Sequence, residues 1–166
     1  TVERAHDRMA ALIDDLLTLA REDETATDLA SIDPASTVRE CWANVETGEA
    51  TLTVNLDRPI LADERRLRQL FENLVHNAVE HGGDGVTVTV GEVDDGFFLE
   101  DDGVGIPAGR RESVFEAGYS TGDEGTGFGL RIAKQVAAAH GWEIRATEGR
   151  DGGARFEVTG VASGDE

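Results

Sequence analysis

The stretch Asn73-Leu-Val-His-Asn77, followed by Asp101-Asp-Gly-Val-Gly105 and Gly125-Thr-Gly-Phe-Gly129, decides how this chain is read. The first segment lies inside a strongly apolar-periodic run: Leu67, Leu70, Phe71, Leu74 and Ala78 share one face of a helix. At about 100° per residue, Asn73 and Asn77 fall together on one flank of that face, so two amides can converge on one ligand. The second segment follows an apolar run that ends in acid. Its glycines, Gly103 and Gly105, let backbone approach a bound group without a Cβ. The third opens another helix, whose first N–H groups and positive dipole end suit an anion such as phosphate.

Outward from these segments the chain punctuates itself clearly. Asp33-Pro34 reads as a helix start, a capping carboxylate followed by proline in the first turn, with helix to about Val45. Thr51 to Leu56 alternates as a strand, and Pro59 to Ala62 reads as a short edge strand. Asp63 caps a long helix to about His81, stopped by Gly82-Gly83. Val86 to Val93 and Gly96 to Glu100 pair across Asp94-Asp95-Gly96. Residues 103 to 126 read as a glycine-rich polar loop, and Phe128 to His140 as helix. A last hairpin joins Trp142–Thr147 to Ala154–Thr159 around Gly149 to Gly153. The sum is an α/β two-layer sandwich, with helices on one face of a mixed sheet.

Ahead of this domain, Val2, Ala5, Met9, Leu12, Leu16 and Leu19 follow a 3-4-3-4-3 seam widened by Ile13, Leu17 and Ala20. That pattern fits a helix of an intermolecular bundle. A polar run from Arg21 to Asp28 reads as a linker. Residues 1–24 are therefore assigned to the bundle helix, 28–160 to the α/β domain and 161–166 to a tail. Thr1 falls within the helical pattern, so the chain reads as a fragment.

Fifteen basic residues against 34 acidic ones leave a net charge of −19, and Lys134 is the single lysine. Such self-repulsion favours a protein that folds in concentrated salt, where screening is strong. It also argues against nucleic acid as partner, because phosphates would be repelled. The one cysteine, Cys41, permits no internal disulfide and fits a reducing cytosol. No apolar run is long enough to span a membrane, and no direct membrane contact is expected. The four histidines lack zinc-ligand spacing. The third segment is not G-x-G-x-x-G, which disfavours a dinucleotide site.

The three segments, in this order and at these separations, resemble the ATP-binding domain of sensor histidine kinases, within the wider family of gyrase, the Hsp90 chaperones and MutL. The resemblance covers roughly residues 28 to 160 and implies a Bergerat-type ATP-binding fold. Leu12-Ile-Asp-Asp-Leu-Leu-Thr-Leu-Ala-Arg21 resembles the second helix of the kinase dimerisation hairpin. By this resemblance Asn77 is the Mg²⁺ ligand and Asn73 the other amide of that motif. Asp101 accepts a hydrogen bond from the adenine amino group, beside Gly103, Gly105 and Ile106. Gly125, Thr126, Gly127, Phe128, Gly129 and Leu130 form the second glycine box against the phosphates. Phe115-Glu116 and Tyr119 resemble the lid motif, and Gly153-Ala154 a minor third box, with alanine where threonine is usual. Hydrolysing relatives place a glutamate at the position of Asn73; a neutral amide cannot act as that base. Glu72, one residue away, points about a right angle off.

The chain also departs from the family pattern. Glu80 stands where a lysine or arginine often approaches the phosphates. His81 stands where an aromatic is frequent, and two readings remain: stacking on the nucleotide, or simply ending the helix. Lys134 reads equally as a phosphate contact or a solvated charge. His6-Asp7 has the acidic neighbour of a phosphoacceptor, but the surrounding helix matches the wrong half of the hairpin, so His6 reads as a surface residue. The function implied is the cytoplasmic Mg·ATP-binding catalytic module of a sensor histidine kinase whose full length can be membrane-attached. It would act as a homodimer through its bundle helix, with the acceptor histidine upstream of Thr1 and a response-regulator receiver domain as partner. An anti-sigma-type serine kinase and a non-catalytic nucleotide-sensing or dimerisation module are the alternatives.

Overall fold

The computed structural model describes residues 29–45, 47–82, 85–103, 105–106, 108–111, 113–115, 129–150 and 152–164, with backbone alone at 81, 108 and 113. The expected bundle helix with His6, and Gly125, Thr126, Gly127 and Phe128, lie outside these residues.

Among the described residues, seven strands and three α-helices follow in the order β1 (Leu29–Ile32), α1 (Pro34–Asn44), β2 (Thr51–Asn55), β3 (Ile60–Asp63), α2 (Glu64–Gly82), β4 (Thr87–Val93), β5 (Gly96–Asp101), α3 (Gly129–Ala139), β6 (Glu143–Glu148) and β7 (Ala154–Thr159). Two 3₁₀ turns, Ala108–Arg110 and Ser113–Phe115, lie between β5 and α3. The five-stranded sheet has the order β2-β4-β5-β7-β6. Only β2 and β4 pair in parallel, and the other neighbours are antiparallel.

Local chemistry sets the boundaries. Asp33 caps α1 by accepting the Ala35 N–H at 3.1 Å, with Pro34 next. Asp63 caps α2, its Oδ1 accepting the Arg66 N–H at 3.3 Å. The β4–β5 turn is a two-residue hairpin, with Val93 opposite Gly96. At the end of α3, the Gly141 N–H bonds the Ala138 carbonyl at 3.0 Å and the Trp142 N–H bonds the Ala137 carbonyl at 2.8 Å, a Schellman close.

Two elements differ from expectation. Leu29–Ile32, read as lying just past a linker, is a strand paired antiparallel to β3 in a separate two-stranded sheet. The segment assigned to a tail returns to β3: the Leu61 N–H bonds the Ala162 carbonyl at 3.0 Å, and Gly164 bonds Pro59 at 3.0 Å.

The core lies between the helices and one face of the sheet. Leu67, Leu70, Phe71, Leu74 and Ala78 of α2 are all fully buried, as their spacing requires. They meet Val88, Val90, Phe97, Leu99, Phe156 and Val158 from the sheet, and Ile132 and Ala133 from α3. Each large apolar side chain so buried is worth about 1.5–3 kcal/mol of transfer free energy. Phe71 and Phe97 rings lie 5.2 Å apart, and Phe97 meets Trp142 edge-on.

One contact fixes helix direction. The Asp63 N–H, at the start of α2, donates to His140 Nε2 at 3.0 Å, just past the end of α3. His140 stacks on Trp142 at 4.0 Å, beside the β6 start and the Asp95 end of the sheet. So α2 runs away from the Asp95 end and α3 runs back toward it. The foot of α2, the head of α3 and Asp101 at the end of β5 therefore share the opposite end.

Candidate functional site

Asp101 is the best-defined residue of that end. It is the last residue of β5, 5% exposed, on the core side of the strand. Its Oδ1 accepts the Gly103 N–H at 2.9 Å and the Ala154 N–H at 3.2 Å. The first bond folds the Asp-Gly turn back on itself, and the second ties it to the start of β7. Asp102, its exposed neighbour, instead accepts the Thr87 N–H at 2.8 Å and fastens β4 to β5. The two adjacent carboxylates thus have different jobs, which the acidic composition of the chain had obscured.

Gly153 completes the cradle. A Cβ there would overlap the Asp101 carbonyl oxygen and stand 2.6 Å from Oδ1. Gly105 has φ +76°, and a Cβ would meet the Gly152 carbonyl at 2.5 Å. The loop after β5 and the turn before β7 are therefore packed backbone to backbone, a contact only glycine permits. Glu100 holds the same turn from the other side of the strand, its Oε2 accepting the Arg150 N–H at 3.1 Å. Gly153 was read as a minor box from sequence. In the structure it fixes Asp101, and the bond uses the Ala154 backbone, so the missing threonine hydroxyl does not touch it. The signal available in the sequence was the Gly152-Gly153-Ala154 run at a strand start.

Asn73 and Asn77 are half-buried on the second half of α2. Glu80, one turn further on, places Oε2 at 3.2 Å from His76 Nδ1. The backbone at His81 is still helical. Glu72 lies on another side of α2, against α1. Burial first, and then the Glu72 carboxylate, push the Cys41 thiol up to about 12. Cys41 Sγ lies 3.4 Å from the Arg68 carbonyl of α2. Glu72 is thereby turned from the flank that carries the two asparagines.

Ile106 is half-buried against the core, and its carbonyl accepts Arg111 Nε at 3.3 Å. Arg110 is exposed on the first 3₁₀ turn. Phe115 is buried and meets Phe156 edge-on at 6.1 Å. It anchors the second 3₁₀ turn in the core, and Glu116 and Tyr119 of the lid-like motif lie outside the described residues. Gly129 and Leu130 open α3 at the Asp101 end, with Leu130 buried. Lys134 is exposed and lines a groove with Asp95, Trp142, Glu143 and Thr159 at the other end of the sheet. That position favours the solvated-charge reading. Among the described residues no three His, Cys, Asp or Glu side chains group as a metal site. Oxygen donors for a cation near the foot of α2 are the two amides and Glu80. No described helix is long and apolar enough to cross a membrane.

Comparison with known proteins matches this geometry. Residues 62–160 fit the family described as histidine kinase-, DNA gyrase B-, and HSP90-like ATPase. The chain is 32% identical over 162 residues to the signal transduction histidine-protein kinase AfsQ2 of Streptomyces coelicolor, covering 91% of this chain and 30% of that protein. It is 31% identical to the sensor-like histidine kinase SenX3 of Mycolicibacterium smegmatis, covering 92% of this chain and 44% of that one. The chain thus spans less than half the length of these relatives. Among solved structures, full-length ShkA in complex with AMPPNP superposes with a TM-score of 0.75 at 29% identity, over 96% of this chain and 37% of that one. The ATP-binding domain of PrrB from Mycobacterium tuberculosis gives 0.64 at 25%, over 82% and 98%. With the buried aspartate, the glycine cradle and the asparagine helix all at one end of a mixed sheet, the chain belongs to the histidine kinase-, DNA gyrase B- and HSP90-like ATPase family, as a histidine kinase-type ATP-binding domain.

Proposed function

We propose that this chain is the catalytic module of a sensor histidine kinase. It binds Mg·ATP and passes the γ-phosphoryl group to a histidine on a dimerisation hairpin, for relay to an aspartate of a response regulator. The observation that carries the reading is Asp101: a buried carboxylate held by the Gly103 and Ala154 N–H groups, at the end of the sheet reached by the Asn73–Asn77 flank of α2. A fixed carboxylate is a strong acceptor for the adenine amino group and rejects guanine, which presents a carbonyl there. The donor set fits Mg²⁺, which takes few protein oxygens and keeps waters and phosphate oxygens. In this reading Asn77 supplies the amide oxygen and Asn73 lines the phosphates. Gly103, Gly105, Ile106, His81 and the box from Gly125 to Leu130 surround the nucleotide. Mg²⁺ and N–H groups neutralise charge on the transferred group, and positioning does the rest.

Homodimerisation through residues 1–24, a cytoplasmic location and folding in concentrated salt belong to the same proposal. The net charge of −19 supports the last. Melting temperature should rise between low and molar KCl, and a flat response would remove the halophilic reading. The catalytic test joins the chain to a hairpin carrying an acceptor histidine and supplies γ-labelled ATP. Label lost in acid and kept in alkali is expected. Acid-stable label would indicate a serine kinase, and no label a nucleotide-sensing module. Asn77→Ala should abolish Mg·ATP binding with the fold intact; unchanged affinity would refute its metal role.

A further inference from the structure

Glu80 is the residue that the family pattern leaves without a task. At about 100° per residue it lies about 20° around α2 from Asn73 and about 60° from Asn77, on the flank that faces the nucleotide in the reading above. Its side chain is only 16% exposed. One oxygen, Oε2, faces His76 Nδ1 at 3.2 Å. The other, Oε1, is buried and has no hydrogen-bond partner among the described residues. A buried acceptor without a donor is costly, and such atoms in native proteins call for a partner. Protonation would not relieve it, since a buried donor without an acceptor would replace the buried acceptor. Nor can a carboxylate face a triphosphate directly, because the charges repel. A hydrated cation between them satisfies both.

We infer that Glu80 is a cation-positioning residue of the nucleotide site, its Oε1 accepting a hydrogen bond from a water of the Mg²⁺ that accompanies ATP. The inference rests on the proposed Mg·ATP site. It replaces direct charge contact with the phosphates by a contact made through the metal's water shell, which Mg²⁺ largely retains in protein sites. His76 holds Oε2 at 3.2 Å, which leaves Oε1 as the carboxylate oxygen available to the water shell. The consequence is that ATP binding by this chain leans on Mg²⁺ more heavily than it would with a basic residue at position 80.

The experiment measures ATP affinity of the 166-residue chain by calorimetry in molar KCl, over a series of Mg²⁺ concentrations and in chelator. Wild type, Glu80→Gln and Glu80→Lys are compared. In Glu80→Gln the Mg²⁺ midpoint should rise about 10-fold or more, the usual effect of losing an outer-shell partner, while affinity in chelator is unchanged or higher. Glu80→Lys should bind ATP in chelator more tightly than wild type and depend less on Mg²⁺. Equal Mg²⁺ midpoints in wild type and Glu80→Gln, with ATP still bound, overturn this inference alone. Loss of chelator-state binding in both variants also overturns it, since the carboxylate would then shape the pocket. Failure of wild type to bind ATP at all overturns the nucleotide-site reading with it.

Discussion

Replacing Gly153 by alanine tests whether the floor of the site is set by backbone contact. The added Cβ would overlap the Asp101 carbonyl oxygen and lie 2.6 Å from its Oδ1. Neither atom is the loose end of a flexible side chain: one is strand backbone, the other is gripped by the Gly103 and Ala154 N–H groups. The start of β7 must therefore lift away from β5. That strains or breaks the Ala154 bond to the carboxylate, worth about 1.5–3 kcal/mol, and the Gly149–Gly153 backbone bond, worth about 0.5–1.5 kcal/mol. A loss of about 2–4.5 kcal/mol follows, a large share of the ~5–15 kcal/mol that holds an ordinary domain together. Gly152→Ala is the control. Gly152 has φ +87° and open space around its would-be Cβ, so alanine there costs only the left-handed strain of about 1–2 kcal/mol. Urea unfolding in molar KCl, followed by fluorescence of Trp42 and Trp142, compares the two. Gly153→Ala should be the less stable and should also weaken ATP binding, while Gly152→Ala keeps it. If Gly153→Ala proves no less stable than Gly152→Ala, the backbone-contact argument is wrong.

Asp101→Asn should lose ATP affinity by roughly 1.5–3 kcal/mol, the range for a hydrogen bond to a charged group. Inosine triphosphate should bind wild type poorly, and equal binding of the two nucleotides would show that Asp101 does not read adenine. Asn73→Glu should raise phosphate release by ~10²–10⁴-fold by supplying a base for water, and the gain should vanish with Asn77→Ala. Brisk hydrolysis by wild type would count against the kinase reading. His140 is neutral in the fold, with burial the main reason its imidazole sits below the ordinary 6.5. Its ring accepts the Asp63 N–H at Nε2 and lies at 2.8 Å from the Val136 carbonyl at Nδ1. A lowered folded pKa means that its stability is present above 6.5 and is lost as pH falls below that value toward the folded pKa. The slope reaches at most about 1.4 kcal/mol per pH unit. Denaturation midpoints at pH 8 to 5 should show this slope in wild type and a smaller one in His140→Phe.

Much of the fold was legible because its signals are local. Asp33-Pro34, Asp63 and Asp94-Asp95-Gly96 act within a turn, and their elements form where the residues direct. The α2 stripe was legible because all five of its apolar positions answer to one period. β1 was not: Leu29-Ala-Ser-Ile32 is short and largely exposed, and is a strand only because β3 lies opposite. Such pairing is a long-range event that no window of sequence contains. The site divides the same way. Asp101 is singled out in the sequence by its glycines, but its partner Ala154 is fifty-three residues on and contributes a backbone N–H, invisible to any side-chain pattern. Glu80 was recognised only as a wrong charge. That its Oε1 lacks a partner among the described residues is a fact of packing.

The antiparallel run of α2 and α3 has one more effect. At the Asp101 end, α2 presents its carbonyl terminus and α3 its amide terminus, so half-charges of opposite sign face the same space from two sides. A cation is favoured beside the foot of α2 and an anion at the head of α3, each by about 0.3–1 kcal/mol before any side chain acts. The asparagines stand on the helix whose near end favours positive charge, and in sequence the Gly125-Thr-Gly-Phe run precedes the helix whose near end favours negative charge. In the proposed Mg·ATP reading, the directions of the two helices set the polarity of the metal–phosphate pair.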